Sequence, residues 1–273
     1  MTREEREIRN QQIIEMAYTK SQKEIGEIFN ISQSQVGNIL KKAGIKLSKS
    51  RLNMSKLALD VDYFKTIDSP EKAYWLGFIC ADGCIYKDGG KLTIMVKDRE
   101  ICEKFKIAIK SDHKISNREV YDKRTDKIYT ESSIQITNAL FVSNIINLGV
   151  TSKKSSVLSF PDIEKSYYSY FIAGLFDGDG SISFKNDGKV ACNLISTKEI
   201  LDFIQEYLKN NFDISPKSLI KVSENCDNVF KVYWQNNEDC LKFLDYIYQG
   251  NKDIYLTRKY ERYQKFKSSD SQE

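Results

Sequence analysis

The chain has 273 residues, 41% of them hydrophobic and 29% charged, with 3 prolines, 13 glycines and a formal net charge of +4. This composition excludes collagen-like, disordered and low-complexity proteins, and the length predicts one or two compact units. No apolar run reaches the roughly 18 residues of a membrane span, and the charged start MTREEREIRN is unlike a signal peptide, so we expect neither membrane insertion nor secretion.

The first predicted unit is helical. Residues 8–18 predict a helix that places near one face the apolar side chains Ile8, Ile13, Ile14 and Ala17. Ser21 with Glu24 is a capping-box start for a second helix. Asn30 breaks the apolar pattern of that helix, at a point where a tight turn needs a residue that tolerates a positive φ.

A third helix is predicted to begin after Ser32, and its polar side carries Gln33, Ser34, Gln35, Asn38 and Lys41. Two short helices joined by a tight turn resemble a helix-turn-helix, in which the second helix enters the major groove. Gln and Asn suit that role, because their amides pair bidentately with adenine. A generic helical hairpin remains the alternative, but the basic segment that follows favours DNA binding.

Positive charge is concentrated near the start of the chain. Residues 1–60 hold 11 Lys or Arg against 7 Asp or Glu, whereas residues 61–273 hold 31 of each. Residues 41–59 carry six basic residues and no acidic one. Such a run is typical of a phosphate contact, although charge alone also fits a solvated linker. The predicted DNA contacts in this run are Lys41, Lys42, Lys46, Lys49 and Arg51.

The rest of the chain contains an internal repeat. AYWLGFICADGCI (73–85) and FIAGLFDGDGSI (171–182) share an apolar run, a central glycine and a final Asp-Gly pair. In each copy a strand, a Gly-containing turn, a strand and a helix follow, and then a polar hairpin and a further helix. We therefore predict two half-domains, each with the order helix, hairpin, helix, hairpin, helix.

Alternation within the predicted strands gives each sheet a buried face and a polar face. Side chains on the polar faces donate and accept hydrogen bonds at base edges and phosphates, although any antiparallel sheet in water has such a face. The predicted DNA contacts of the two sheets are Lys91, Thr93, Lys97, Gln135, Lys231, Tyr233 and Gln235.

The chain has one histidine and six cysteines. His113 lies in the polar stretch KSDHKIS and is predicted to be solvated in a loop. With a single histidine, His-rich zinc sites and catalytic triads with a second functional histidine lose their usual residues. Since no C-x-x-C pair occurs, we expect reduced and mostly buried thiols at Cys80, Cys84, Cys102, Cys192, Cys226 and Cys240.

The two repeats, WLGFICADG (75–83) and IAGLFDGDG (172–180), resemble the LAGLIDADG motif of homing endonucleases, in the single-chain form that carries two copies. The resemblance covers about residues 71–267 and includes LGVTSKKSSVLSFP and YLTRKYERYQKF. It implies an α+β fold, in which two pseudo-symmetric αββαββα half-domains form a saddle of antiparallel sheets behind a small all-α helix-turn-helix domain. The expected units are 1–47 for the helical domain, 48–70 for a basic linker, and 71–158 and 159–273 for the half-domains.

The resemblance also implies a site-specific endonuclease that hydrolyses one phosphodiester in each DNA strand with divalent metal ions. The eighth motif position supplies the metal ligand of each half, Asp82 and Asp179, with Mg²⁺ expected and Mn²⁺ or Ca²⁺ possible. Mid-helix Gly77 and Gly174 cost roughly 1 kcal/mol each against Ala, which makes sense if the motif helices pack backbone to backbone.

Other site residues follow from their positions in the motifs. The sixth motif position is Cys80 in one copy and Asp177 in the other, which makes the two halves unequal, and we expect Asp177 to cap or pack at the interface rather than bind metal. Tyr74 and Trp75 are expected in the interface core. The basic residues near the scissile phosphates are expected to be Lys154 and Lys259, with Lys153 and Arg258 as competitors. The polar residues that end the second strand of each half are Asp98 and Thr197.

Two other functions remain open on this scaffold, a cleavage-inactive DNA-binding transcription regulator and an RNA maturase. The two aspartates argue against the first, and the helical head argues against the second. The expected partner is double-stranded DNA with a long asymmetric target site, bound by a monomer without membrane contact. The chain ends carry no splicing residues, which favours a free-standing or intron-encoded protein. We expect a cytoplasmic protein, which in a prokaryote would be associated with the nucleoid. Organellar encoding remains open.

Overall fold

The computed structural model describes residues 2–17, 20–43, 57–86, 89–123, 125–185, 189–224, 228–250 and 254–270. Three of the predicted DNA contacts, Lys46, Lys49 and Arg51, lie outside these ranges. The described residues form two separate hydrophobic cores, a small one near the N-terminus and a large one that begins at Tyr63. None of the helices in the described ranges combines the length and apolar character of a membrane span.

The N-terminal unit consists of three helices, α1 Arg3–Met16, α2 Gln22–Phe29 and α3 Gln33–Lys42. Ser21 and Ser32 cap α2 and α3 with complete capping boxes, in which Glu24 and Gln35 bond back to the capping residues. Asn30 ends α2 in the left-handed conformation, with φ 49°. The sequence therefore predicted both caps and the turn correctly.

The core of the N-terminal unit is formed by Ile13, Ala17, Ile25, Val36 and Leu40. Ile8, which the sequence placed on the same face, is 56% exposed. The contribution of α1 to this core comes from its second half, at Ile13 and at Ala17 just after its end, and Ile8 lies outside this core.

Residues 57–69 pack on the large core instead of forming part of a linker. Tyr63 and Phe64 are buried there, and the Asp60 N–H donates to the Ile109 carbonyl at 2.9 Å. The sequence assigned residues 48–70 to a basic linker. Its described part, residues 57–69, differs from that prediction. A solvated linker would leave the large apolar rings of two adjacent aromatic residues in water, and packing on the core buries them.

The second unit repeats one topology twice. The first half contains α4 Pro70–Asp82, β1 Gly83–Ile85, β2 Leu92–Val96, α5 Arg99–Ala108, β3 Ile115–Asp122, β4 Lys127–Ile136, α6 Ala139–Asn147 and α7 Lys154–Val157. The second half contains a 3-10 helix Lys165–Tyr167, α8 Tyr168–Asp179, β5 Gly180–Phe184, β6 Val190–Ser196, α9 Lys198–Phe212, β7 Ile220–Lys221, β8 Phe230–Trp234, α10 Asn237–Tyr248 and α11 Thr257–Asp270. The antiparallel sheets have the matching orders β1-β2-β4-β3 and β5-β6-β8-β7, which confirms the predicted two-half α+β architecture.

Strands β2 and β4 of the first sheet show the predicted buried and exposed faces at most positions. Ile94 faces Ile134 on the buried side, and Gln135 is exposed. Thr93, however, is only 7% exposed although it was expected on the wet face. It lies in the strand between β1 and β4 and has Cys84 and Gln135 as its cross-strand neighbours, so side chains on both flanks cover it.

The two halves meet along α4 and α8, whose backbones touch at two glycines. A Cβ on Gly77 would lie 2.0 Å from the Phe171 carbonyl oxygen, and a Cβ on Gly174 would lie 1.9 Å from that of Tyr74. No side chain fits at either point, which confirms that the glycines permit backbone contact. Tyr74 and Trp75 are buried beside this contact, as predicted.

His113 is buried, so the prediction of a solvated loop was wrong. Its Nδ1 lies 2.7 Å from Ser111 Oγ, and the neighbouring Asp112 N–H donates to the Ala58 carbonyl at 3.1 Å, which holds this stretch against residues 57–60. Burial lowers the pKa of His113. Among the cysteines that the structure describes, Cys84 is exposed and the others, Cys80, Cys102, Cys192 and Cys240, are buried and free as expected.

Candidate functional site

Two carboxylates lie at the same end of the helix pair. Asp82 is the last residue of α4 and Asp179 is the last residue of α8. A Cβ on Gly178 would lie 3.3 Å from Asp82 Oδ2, so the chain that precedes Asp179 passes directly beside the carboxylate of Asp82. The glycine contacts between the helices therefore determine how close the two motif ends lie.

The two aspartates share an environment that disfavours their charge. Burial and, to a smaller extent, the charge of Asp179 raise the pKa of Asp82 to about 6. Burial also raises the pKa of Asp179. Both carboxylates end helices, where the dipole is negative. Lys154 and Lys259 oppose these effects at both aspartates, and Arg258 does so at Asp82. Positive charge near the pair therefore favours the ionised form of both carboxylates.

Lys154 caps the helix that ends at Asp82. Its Nζ donates to the carbonyl oxygens of Ile79 (3.1 Å), Cys80 (2.7 Å) and Ala81. The Ile79 carbonyl also accepts from the Gly83 N–H, whereas Cys80 and Ala81 lie in the last turn, whose carbonyls a helix leaves without an intrahelical partner. The ammonium group satisfies these carbonyls and offsets the negative end of the dipole. Burial lowers the pKa of Lys154. Its neighbour Lys153 is exposed, so the structure brings Lys154 and not Lys153 to the aspartates.

Lys259 takes the same position in the second half. Its Nζ donates to the carbonyl oxygens of Phe176 (2.6 Å), Asp177 (2.7 Å) and Gly178 (3.4 Å). Only 3% of the residue is exposed, and burial lowers the pKa of Lys259 to about 8. The two lysines were predicted from the positions of SKKSS and LTRKY, and both lie at the candidate site.

A cavity opens beside each aspartate. The cavity at Asp82 measures about 250 Å³ and is also lined by Lys97, Asp98, Glu131 and Arg258. Arg258 Nε donates to Asp98 Oδ2 at 2.9 Å within it. The cavity at Asp179 measures about 90 Å³ and is lined by Lys154, Ser196 and Thr197. The charged Asp98 and the neutral Thr197 thus lie in corresponding cavities of the two halves.

Asp177 joins the two halves at a fully buried point. Its Oδ2 accepts from the Tyr74 hydroxyl and the Leu256 N–H, both at 2.7 Å, and its Oδ1 accepts from the Tyr248 hydroxyl at 2.5 Å. Burial raises the pKa of Asp177 despite these donors. With all of these donors directed at it, Asp177 links three elements around the interface, as the sequence led us to expect.

Replacing Asp177 by alanine is expected to destabilise the protein by on the order of 3 kcal/mol or more, because three buried donors lose their acceptor at about 1–3 kcal/mol each. Urea unfolding measures this loss. The matched control is Cys80→Ala at the corresponding motif position, which removes one buried sulfur and is expected to cost about 1 kcal/mol. Equal costs for the two variants would contradict a network role for Asp177.

Several residues of the site carry no sequence signal that we recognised. Tyr248 and Leu256 donate hydrogen bonds to Asp177, from which they are separated by 71 and 79 positions in the sequence. Glu100 and Thr257 are 157 positions apart. A buried aspartate inside an apolar helix does signal that donors must surround it. The identity of those donors follows only from the fold.

The predicted DNA contacts lie mainly on solvent-facing surfaces. On α3, Gln33, Ser34, Gln35, Asn38, Lys41 and Lys42 are exposed, although Gln35 Oε1 already accepts from the Ser32 N–H at 2.8 Å. On the sheets, the exposed or half-buried positions are Lys91, Lys97, Gln135, Lys231, Tyr233 and Gln235. Thr93 is the exception, because neighbouring strands cover it.

Residues 166–248 match the family model of the LAGLIDADG-like domain. The replication factor C small subunit of Methanocaldococcus jannaschii is 27% identical to this chain over 183 residues, which are 65% of this chain and 9% of that protein. The chain therefore spans less than a tenth of the length of this curated relative.

Two solved structures illustrate the likeness of the fold. The homing endonuclease I-WcaI, bound to its DNA recognition sequence, is 18% identical with a TM-score of 0.50, over 76% of this chain and 92% of that chain. Full-length DUF199/WhiA from Thermatoga maritima is 17% identical with a TM-score of 0.47, over 77% of this chain and 66% of that chain. At such identities the likeness concerns the fold alone.

Proposed function

Since the chain carries a LAGLIDADG-like domain at residues 166–248 and repeats its topology in the preceding half, we propose that it is a site-specific endonuclease that cuts both strands of a DNA duplex. The observation that carries this proposal is the placement of Asp82 and Asp179 side by side at the ends of two packed helices. Such a pair of sites allows one phosphodiester to be hydrolysed in each strand of the same bound duplex.

The two carboxylates fit a divalent cation, with Mg²⁺ proposed and Mn²⁺ or Ca²⁺ as substitutes. Among the described residues, no group of three or more His, Cys, Asp or Glu side chains encloses an ion. Mg²⁺ does not need one, because one or two carboxylates usually hold it together with substrate phosphates and water. Burial disfavours both charges, and the charge of Asp179 further disfavours that of Asp82, so that a bound cation would stabilise the ionised pair. When bound, the metal supplies an activated water and stabilises the leaving oxygen.

The residues of the chain hold this site and its substrate in place. The glycine contacts fix the separation of the helices, and the two lysines keep the aspartates ionised by supplying positive charge at the helix ends. Arg258 lies in the cavity beside Asp82 and offers a charge for a backbone phosphate. In this proposal, the polar faces of the two sheets contact the duplex on either side of the cut.

The proposed partner is a duplex with a long asymmetric site, because the two halves present different side chains on the polar faces of their sheets. A monomer suffices, since one chain holds both aspartates. The three-helix unit and the basic run 41–59 extend the contact beyond the sheets. Such a protein acts where DNA is, in the cytoplasm or nucleoid of a prokaryote or in an organelle.

Cleavage of a randomised duplex library by the purified protein tests the proposal. With Mg²⁺ we expect cuts at one long motif, and with chelator or with Asp82→Asn/Asp179→Asn we expect none. Specific retention of library DNA without cutting would instead support a DNA-binding regulator. Retention of RNA in preference to duplex DNA would support a maturase.

The helical unit is proposed to read bases through α3. Replacing Gln33 and Asn38 by alanine is expected to weaken binding to the recovered site, since each bidentate base contact contributes about 1–3 kcal/mol. The cutting rate of the bound complex should not change, because neither residue lies near the aspartates in sequence or core. Gel-shift titration and single-turnover cleavage separate the two effects. The control is Gln12→Ala, an exposed amide on α1, and affinity unchanged in both proteins would contradict base reading by α3.

A further inference from the structure

The segment that carries Lys259 is held by the opposite half-domain. The Thr257 N–H donates to Glu100 Oε1 at 2.9 Å, and the Thr257 hydroxyl donates to Glu100 Oε2 at 2.6 Å. Lys104 Nζ donates to the Tyr255 carbonyl at 2.8 Å. Together with the ion pair between Arg258 and Asp98 in the cavity, these bonds connect α5 of the first half to residues 255–259, which we name the second lysine segment.

The first lysine segment, residues 154–158, has a corresponding attachment to the second half. The Thr197 hydroxyl donates to the Leu158 carbonyl at 2.5 Å. Asn228 Nδ2 donates to the Ser156 carbonyl at 3.1 Å and to Glu199 Oε2 at 2.7 Å. Glu199 is the second residue of α9, as Glu100 is of α5, so the two glutamates occupy corresponding positions in the repeat.

The two attachments differ in kind. Glu100 contacts its segment directly through both carboxylate oxygens, and Lys104 Nζ lies 3.3 Å from the same carboxylate. Glu199 reaches residues 154–158 through the amide of Asn228, which bonds to both. Charge-assisted hydrogen bonds are roughly twice as strong as neutral ones, so the second lysine segment is attached more firmly than the first.

Glu100 also caps the N-terminus of α11. Thr257 is the first residue of α11, and its N–H is one of the donors that a helix leaves without an intrahelical partner. Glu100 satisfies this donor from another half-domain. Arg258 and Lys259 follow directly in the same turn, so the bonds of Glu100 hold the backbone from which Arg258 reaches Asp98 and Lys259 reaches the carbonyls at the end of α8.

We propose that Glu100 is a positioning residue that holds the second lysine segment and thereby sets the rate at which one of the two DNA strands is cut. The effect on cutting rests on the proposed endonuclease function, whereas the effect on the segment does not. Glu199 is expected to play the corresponding, weaker part for the other strand through Asn228.

Hydrogen exchange of the free full-length protein tests the attachment without DNA. Glu100→Ala is expected to accelerate amide exchange in residues 255–259 at least tenfold and to leave residues 154–158 unchanged. Glu199→Ala is expected to reverse this pattern. Glu100→Gln should restore part of the protection, because its one amide oxygen still accepts from the Thr257 N–H but carries no charge. The control is Glu103→Ala, which removes an acid of α5 that forms an ion pair with Arg99 of the same helix.

Unchanged exchange in residues 255–259, or equal acceleration in both segments, would overturn the proposal. If Glu100→Ala fails to fold, Thr257→Val is the milder test, since it removes only the hydroxyl donor and is expected to raise exchange in the same segment alone.

Strand-resolved cleavage of the site recovered from the library then tests the consequence. Glu100→Ala is expected to slow the cutting of one strand at least tenfold more than the other, so that nicked duplex accumulates, and Glu199→Ala should favour the opposite nick. Equal slowing of both strands would reduce Glu100 to a purely structural residue and overturn the positioning role. A wild-type protein that cuts neither strand would refute the endonuclease function. The hydrogen-exchange experiment would still test whether Glu100 holds residues 255–259.

Discussion

Replacement of both Asp82 and Asp179 by asparagine is expected to reduce cleavage by roughly 10³-fold or more, which corresponds to about 4 kcal/mol of transition-state stabilisation. Asparagine keeps the shape of the side chain but cannot supply the negative oxygens that Mg²⁺ prefers. Binding to the duplex should persist or tighten, because two negative charges are removed from the surface that faces phosphates. Single-turnover cleavage and gel-shift titration on the same site measure the two effects separately.

Asp82→Asn alone is expected to stabilise the metal-free fold at neutral pH. Burial and the charge of Asp179 raise the folded-state pKa of Asp82 from 3.8 to about 6, so the native state binds this proton more tightly than the unfolded chain does. Stability therefore falls as the pH rises from about 4 to 6, by on the order of 3 kcal/mol for this group. Asparagine mimics the neutral form and avoids that loss above pH 6, but gains little near pH 4.

Urea unfolding of Asp82→Asn in chelator at pH 4 and pH 7.5 checks the sign. The control is Asp62→Asn, an exposed carboxylate outside the site, which is expected to change stability by less than about 0.5 kcal/mol at either pH. A destabilised Asp82→Asn protein at pH 7.5, or a gain of equal size at both pH values, would show that the charge of Asp82 is not what strains the helix ends.

The sequence predicted the architecture because its strongest signals are local and occur twice. A few adjacent residues predict each apolar helix with its central glycine, each Asp-Gly end and each hairpin turn. The same signals recur in the second half-domain, which supports each prediction. The caps at Ser21 and Ser32 were predictable for the same reason, since a capping box spans four residues.

The site was predictable only as far as the motif itself extends. The helix-end aspartates and the two lysines follow from motif positions, whereas the partners of Asp177 and the bonds of Glu100 join residues between 71 and 157 positions apart. The exposure of single polar residues was predicted wrongly for a related reason. Thr93 alternates with apolar residues along β2 and His113 lies in a polar stretch, and only the packing of neighbouring elements removes the two side chains from water.

Alanine at Gly77 or Gly174 is expected to cause the largest loss of stability of any single methyl group added to this protein, at least about 3–4 kcal/mol each. The added Cβ would lie 2.0 or 1.9 Å from a carbonyl oxygen of the facing helix, far inside van der Waals contact. The obstacle is backbone and not a flexible side chain, so relief requires the two helices to separate. Helix propensity acts in the opposite direction by only about 1 kcal/mol. Urea unfolding of each variant measures the balance.

Gly37→Ala is the matched control, because Gly37 lies within α3 and a Cβ there would meet only the Gln22 side chain at 3.4 Å. That variant should gain up to about 1 kcal/mol in the stability of the helical unit. If Gly77→Ala proved as well tolerated, the halves would not be held by backbone contact. If it folds at low temperature, its cleavage should already be lost while duplex binding survives, because separated helices move Asp82 and Asp179 apart without removing either carboxylate. Loss of cutting with both aspartates present would tie the catalytic geometry directly to the glycines of the interface.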